Sequence, residues 1–203
     1  MKAIKKHKKI GTLILCALAL IIYSCNNLND LKEETSTLTS DGFNRIENVG
    51  GQSFNLDWRV CNNSQLDIRV TAQTTGWVGI GFNKTAKKMD NSNLIIGYIN
   101  AENQTAHLID AYGNPGNKVV EDIKQDGKDN IINPSGNITI SNGQTHTTIA
   151  FSIPLQSTDK YDVAFSSGDK MHVILAAHSS KKSTDTSQEN KHTHRTSTTI
   201  TLP

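Results

Sequence analysis

Met89 stands in a polar loop, Lys87-Lys88-Met89-Asp90, where a thioether is out of place. Methionine ordinarily fills gaps in a core, so this one either tucks over the end of the fold or has a use for its sulfur. His192 and His194 lie two residues apart, and Arg195 follows. In an extended segment both imidazoles point one way and the guanidinium the other. With His178 they could hold Zn²⁺ or Cu²⁺ through imidazole alone, although spacing this loose defines no metal motif. The bland reading is a solvated loop, since residues 179–191 are rich in Lys, Ser and Thr. His172 and His178 flank the two ends of one strand face, and His107 and His146 read as surface strand positions.

Hydrolytic chemistry lacks its residues. A glycosidase needs two convergent carboxylates, and Asp90, Asp110 and Asp159 do not declare themselves as a pair. No Ser/His/Asp nucleophile motif is visible, so the chain offers no catalytic residues of its own. Tyr98 and Tyr112, at strand ends near turns, could stack on a sugar ring, whereas Trp77 reads as core. The run Asp126-Gly127-Lys128-Asp129-Asn130 lacks the ligand spacing of a calcium loop and reads as a turn.

The elements that must position these residues begin after a basic leader. Residues 1–24 hold five lysines and no acid, and residues 10–22 form an apolar run broken only by Gly11 and Thr12. This is a signal-peptide pattern, too short for a spanning helix of about 20 apolar residues. It ends at Ile22-Tyr23-Ser24-Cys25, which resembles a bacterial lipoprotein box, with Tyr23 bulkier than the box usually takes. An ordinary signal peptide or an uncleaved anchor is the other reading of the segment. On the lipoprotein reading Cys25 becomes the lipidated first residue, and the protein is held at a membrane of the bacterial cell envelope. Cys16 leaves with the peptide, and Cys61 remains, reading as a buried structural thiol by its place at the end of an apolar alternation. No Cys-x-x-Cys-His is present, which excludes covalent c-type haem. The whole chain has a formal charge of +2, but without the leader sixteen basic residues face nineteen acidic ones. That balance removes the case for nucleic-acid binding. Residues 25–48, rich in Asn, Thr, Ser, Asp and Glu, read as a flexible tether.

From Ser53 onward the pattern has period two. Phe54, Leu56, Trp58 and Val60 share a face, as do Leu66, Ile68, Val70 and Ala72. Residues 77–82 and 94–99 are continuous apolar runs, as for central strands covered on both faces. Further strands are expected at 106–112, 138–140, 148–153, 171–177 and 198–202, and Asn142-Gly143 is the strong two-residue hairpin signal. The expected fold is all-β, an antiparallel immunoglobulin-like β-sandwich of about ten strands spanning residues 49–203.

Several segments in order are similar to a known family. They are Gly76-Trp77-Val78-Gly79-Ile80-Gly81-Phe82, then Met89-Asp90-Asn91-Ser92-Asn93 leading into Leu94-Ile95-Ile96-Gly97-Tyr98, and then Asp110-Ala111-Tyr112. Ile149-Ala150-Phe151-Ser152-Ile153-Pro154-Leu155, the 173–176 strand and His192-Thr193-His194-Arg195 complete the series. This order resembles the DOMON domain, the β-sandwich of the cellobiose dehydrogenase cytochrome domain and of dopamine β-monooxygenase. The resemblance implies a pocket at one end of the sandwich for haem b or a sugar-like ligand. Carried over, the axial methionine falls on Met89 and the axial histidine on His192 or His194, with His178 in reserve. Lys87, Lys88, Lys191 and Arg195 would then meet the propionates.

Two functions follow as expectations. One is an envelope-tethered b-type haem domain that passes electrons to a redox partner protein, with Met89 and His192 as axial ligands and His194 next. The other is a non-catalytic lipoprotein that binds carbohydrate or another small ligand in the same pocket.

Overall fold

Alternating side chains build the two halves of one core. In β3 (Phe54–Cys61) and β4 (Gln65–Ala72) every second residue, from Phe54 through Trp58 and from Leu66 through Ala72, is buried. In β11 (Lys170–Ala177) Met171, Val173, Leu175 and Ala177 do the same from the opposite side. The structure is a computed structural model, and it describes residues 34–185 and 190–203. The expected signal peptide, Cys25 and the start of the tether lie outside the described residues.

The remaining strands are β1 (Thr37–Leu38), β2 (Asn44–Ile46), β5 (Val78–Asn83), β6 (Asn93–Ile99) and β7 (Ala106–Asn114). They are followed by β8 (Lys118–Glu121), β9 (Ile132–Ser141), β10 (Gln144–Pro154) and β12 (His194–Thr201). Two antiparallel six-stranded sheets result, ordered β1-β2-β3-β4-β10-β9 and β12-β11-β5-β6-β7-β8. The architecture is the expected all-β sandwich. Twelve strands are described where about ten were expected, because β1, β2 and β8 are too short to show a period.

The inner faces meet in one apolar cluster that includes Leu56, Trp58, Ile68 and Phe151 from the first sheet and Ile80, Phe82, Ile95 and Leu175 from the second. Phe82 and Phe165 pack edge to face at 5.5 Å, an arrangement that adds about 1 kcal/mol to their burial. Trp58 Nε1 donates to the carbonyl of Thr201 at 3.3 Å and so ties the two sheets together. Between β9 and β10, Asn142 and Gly143 both take positive φ, 51° and 75°, the backbone of a type I′ hairpin turn.

The tether expected to run to residue 48 ends earlier. β2 pairs with β3, placing Arg45 opposite Asp57, and Arg45 and Arg69 both hydrogen-bond that buried carboxylate. Phe43 is buried with the guanidiniums of Arg69 and Arg59 over its ring, at 4.0 and 4.3 Å. Phe43 and Arg45, with Ile46 in the core and Asp41 paired to Arg69 at 2.9 Å, dock a segment whose composition is otherwise that of a linker. Cys61 is free and half-buried at the end of β3, more open than a core thiol.

Candidate functional site

Strand parity turns Val78, Ile80 and Phe82 of β5 into the core and leaves Gly79 and Gly81 on the outer face of the second sheet. Ala176 is opposite Gly79 and Ile174 opposite Gly81 on one side, with Ile96 and Leu94 on the other. A Cβ on Gly81 would lie 2.5 Å from Leu94 Cδ2 and 2.7 Å from Ile174 Cγ1. The glycines therefore form a low floor between apolar neighbours. Above it lies a cavity of about 590 Å³, bounded by Trp77, Met89, His192 and Arg195 among others. That is within the roughly 300–1,000 Å³ typical of ligand and cofactor sites.

One wall is the Met89 loop, which is fixed from several directions. Asn83, at the end of β5 and buried, donates through Nδ2 to the carbonyls of Asp90 and Asn91 at 3.1 and 3.3 Å and to Ser92 Oγ at 3.2 Å. Ser92 donates its N–H to the Met89 carbonyl at 3.0 Å and its hydroxyl to the Lys88 carbonyl at 2.6 Å. Asn91 takes a left-handed φ of 62°, and its N–H donates to the Gly113 carbonyl at 2.6 Å. Met89 is half-buried and lines the cavity.

The other wall is the chain from His178 to Arg195, anchored by Gly76 and Trp77. A Cβ on Gly76 would meet the His178 carbonyl at 2.2 Å, so only glycine lets the turn after β11 approach. Trp77 exchanges backbone bonds with this turn, its N–H donating to Lys181 and its carbonyl accepting from His178. Its indole Nε1 donates to the Asn190 carbonyl at 3.1 Å. Trp77 is buried, but against this cavity rather than in the sandwich interior expected for it. The Gly-Trp-x-Gly-x-Gly spacing thus has a physical sense: a close approach, a wall, and a floor.

His192 is half-buried and lines the cavity. Burial, and then the positive charges of Arg195 and Lys191, hold its imidazolium pKa below the ordinary value. The ring is thereby biased to the neutral form that ligates metals. His194 does not share its direction. The chain bends at Thr193 before β12 begins, and the alternation expected of an extended segment is broken there. His194 stands opposite Ala177, whose side chain faces the core, while Arg195 stands opposite Ala176 on the outer face. Arg195 lines the cavity; His194 is exposed outside it, with Nδ1 2.9 Å from Thr193 Oγ1.

The other histidines are spent elsewhere. His178 Nδ1 accepts from the N–H groups of Ser180 and Lys181 at 3.1 and 3.0 Å, so its ring caps its own turn. His172 pairs with Thr199, and His107 stacks on Tyr98 at 4.9 Å. Among the described residues the histidines form no Zn²⁺ or Cu²⁺ cluster. Tyr98 and Tyr112 do not line the cavity either; Tyr112 packs on Tyr161 and donates to Asn91 Oδ1. Lys87, Lys88, Lys191 and Arg195 stand around the cavity with Asp185 as the acid among the described lining residues. The site is an apolar trough with a thioether, an imidazole and a cationic rim.

Comparison with solved structures finds the same fold. The chain is similar to the cytochrome b domain of pyranose dehydrogenase from Coprinopsis cinerea, with a TM-score of 0.57 and 14% identity over 83% of this chain and 88% of that one. It is also similar to the cytochrome domain of cellobiose dehydrogenase from Myriococcum thermophilum, with a TM-score of 0.52 and 14% identity over 85% and 90% of the two chains. No curated sequence matches the chain. Residues 50–178 match the family model of the DOMON domain, a span that includes Met89 and the glycine floor and stops short of His192. With more than half of its length matched, the chain belongs to the DOMON domain family.

Proposed function

We propose that this protein is a b-type haem-binding domain for electron transfer, with Met89 and His192 as the axial ligands of the iron. The observation that carries the reading is one apolar cavity lined by both residues, which come from separate loops on the same outer sheet face. The donors suit the group: a thioether, an imidazole biased to neutrality, a glycine floor for a planar ring, and cationic side chains for two carboxylates. Haem held by Met and His supplies a one-electron iron couple of raised potential.

The chain's own residues set the conditions for that couple. Asn83 and Ser92 fix the backbone on either side of Met89. Trp77 holds the start and the end of the chain that carries His192. Met89 and His192 would hold the group from two sides, and the chemistry it would supply there is electron transfer without substrate binding at the iron. On this reading the domain sits at the bacterial cell envelope, held by lipid on Cys25, and exchanges electrons with a separate redox partner protein. Labelling with a fatty-acid probe that is lost in Cys25→Ser would support the anchor; unchanged labelling would remove it.

Reconstitution with haemin tests the function itself. The expected product is a six-coordinate low-spin species in both oxidation states that cycles reversibly and, when reduced, does not bind carbon monoxide. Absence of haem binding would overturn the reading, and ready carbon monoxide binding would overturn its claim of no substrate binding at the iron. Tyr98 and Tyr112, the stacking candidates for carbohydrate, lie outside the cavity, and no observation favours that second reading.

A further inference from the structure

On the inner side of the second sheet, away from the cavity, three carboxylates converge. Asp110 of β7, Asp122 of the 3₁₀ turn after β8, and Asp162 of the β10–β11 connection offer oxygens that all lie within 4.8 Å of one another. Asp110 and Asp122 are buried, at 3% and 0% exposure. Among the described residues no Lys or Arg forms an ion pair with any of the three.

Their hydrogen bonds are incomplete in one direction. Asn130 donates its N–H to Asp110 Oδ2 at 2.9 Å and its side-chain amide to Asp162. Gln125 Nε2 reaches Asp122 Oδ1 at 3.4 Å. Asp110 Oδ1 and Asp122 Oδ2 are buried with no partner. A fourth, neutral group completes the picture. Asn93 is 2% exposed, and its Nδ2 donates to Asp162 Oδ1 at 2.6 Å. That bond sets the amide against the cluster, and its Oδ1 is likewise buried without a partner. Three orphaned oxygens from three elements, with no donor to meet them, are the complement of a cation.

We propose that Asn93, Asp110, Asp122 and Asp162 form a Ca²⁺ site. Oxygens each about 2.4 Å from one ion lie no more than about 4.8 Å apart, the spacing found among the three aspartates. The donors are all oxygen, which selects a hard cation over Zn²⁺ or Cu²⁺. Mg²⁺ keeps most of its water and demands a strict octahedron, whereas Ca²⁺ accepts irregular protein cages of carboxylate and amide oxygens. The site would clasp the 122–131 and 155–169 connections to β6 and β7, two long segments with little regular structure of their own. Because its residues face away from the outer cavity, the site does not depend on haem.

The test uses the full chain, purified in detergent without haem, stripped with EGTA and returned to metal-free buffer. Addition of CaCl₂ is expected to bind at one ion per chain by calorimetry and to raise the thermal midpoint by several degrees. Asp122→Asn and Asn93→Ala should each weaken binding at least tenfold, with circular dichroism reporting that each variant is folded. Should a variant fail to fold, the wild-type titration decides alone. No heat and no thermal shift in the stripped wild type would overturn the proposal. So would unweakened binding in folded Asp122→Asn, or an equal response to MgCl₂ at the same concentration. A chain that binds Ca²⁺ and not haemin, or the reverse, separates this site from the haem reading.

Discussion

The backbone carbonyl of Met89 lies so close over Gly113 that a Cβ there would meet it at 1.9 Å. Gly113, in β7, also accepts from the Asn91 N–H and donates to the Ser92 carbonyl. Glycine at this point is a condition for the placement of Met89. Gly113→Ala must push the loop off the sheet, at a stability cost of about 1–3 kcal/mol typical of overpacking. We expect the variant to fold and to take up haem with the methionine ligand partly or wholly lost. Optical and magnetic spectra that show a five-coordinate or mixed population check this; a spectrum identical to wild type would remove Gly113 from the account.

The floor of the cavity makes a separate prediction. Gly81 faces outward, and its nearest neighbours are side-chain atoms, Cδ2 of Leu94 and Cγ1 and Cδ1 of Ile174. These atoms can give, so a larger residue is accommodated by filling the trough. Gly81→Leu should retain the sandwich by circular dichroism and lose at least tenfold in haemin affinity, about 1.4 kcal/mol or more. Haemin titration measures it directly.

The cationic rim should act on potential as well as on affinity. Arg195 lines the cavity beside His192, and after burial its charge is the next cause of that residue's lowered pKa. Removing a positive charge near the iron favours the more oxidised, more positive state. Arg195→Gln is therefore expected to lower the midpoint potential and weaken haem binding, with the potential difference shrinking at high salt. Spectropotentiometry at two ionic strengths checks the sign.

Far from the site, Asp57 holds the incoming chain. It is 7% exposed at its side chain and pairs with Arg45 at 2.6 Å and Arg69 at 3.0 Å, each about a third exposed. Loss of one partner of a wholly buried pair costs roughly 3–5 kcal/mol. Solvent screening of the two guanidiniums reduces this here, and Asp57→Ala is expected to cost about 2 kcal/mol. Urea unfolding measures it, and haem affinity should be unchanged, because β2 and β3 belong to the other sheet.

Much of this was legible in the sequence, and the reasons are physical. Period-two burial in β3, β4 and β11 reports a sheet with one covered face, and it located those strands. Asn142-Gly143 marked its hairpin because both residues must take positive φ. The Gly-Trp-x-Gly-x-Gly segment marked the site, although Trp77 turned out to wall the cavity instead of filling the core. His194 could not be separated from His192 by counting, because a single bend at Thr193 resets the parity. The docked segment around Phe43 and Arg45 was hidden by its polar composition, since a few scattered side chains do the holding. Least visible was the carboxylate cluster. Asn93, Asp110, Asp122 and Asp162 come from four places in the chain, so no local spacing announces them.

On the proposed function, Met89 and His192 face one bound group across the glycine floor. Haemin titration of the wild type, Met89→Ala and His192→Ala, read by optical spectrum and midpoint potential, tests it most directly. The wild type is expected to give a sharp Soret band with resolved α and β bands on reduction. Met89→Ala should lose the six-coordinate spectrum and fall in potential, and His192→Ala should bind haemin at least tenfold more weakly. Both variants with wild-type spectrum, potential and affinity would contradict the assignment.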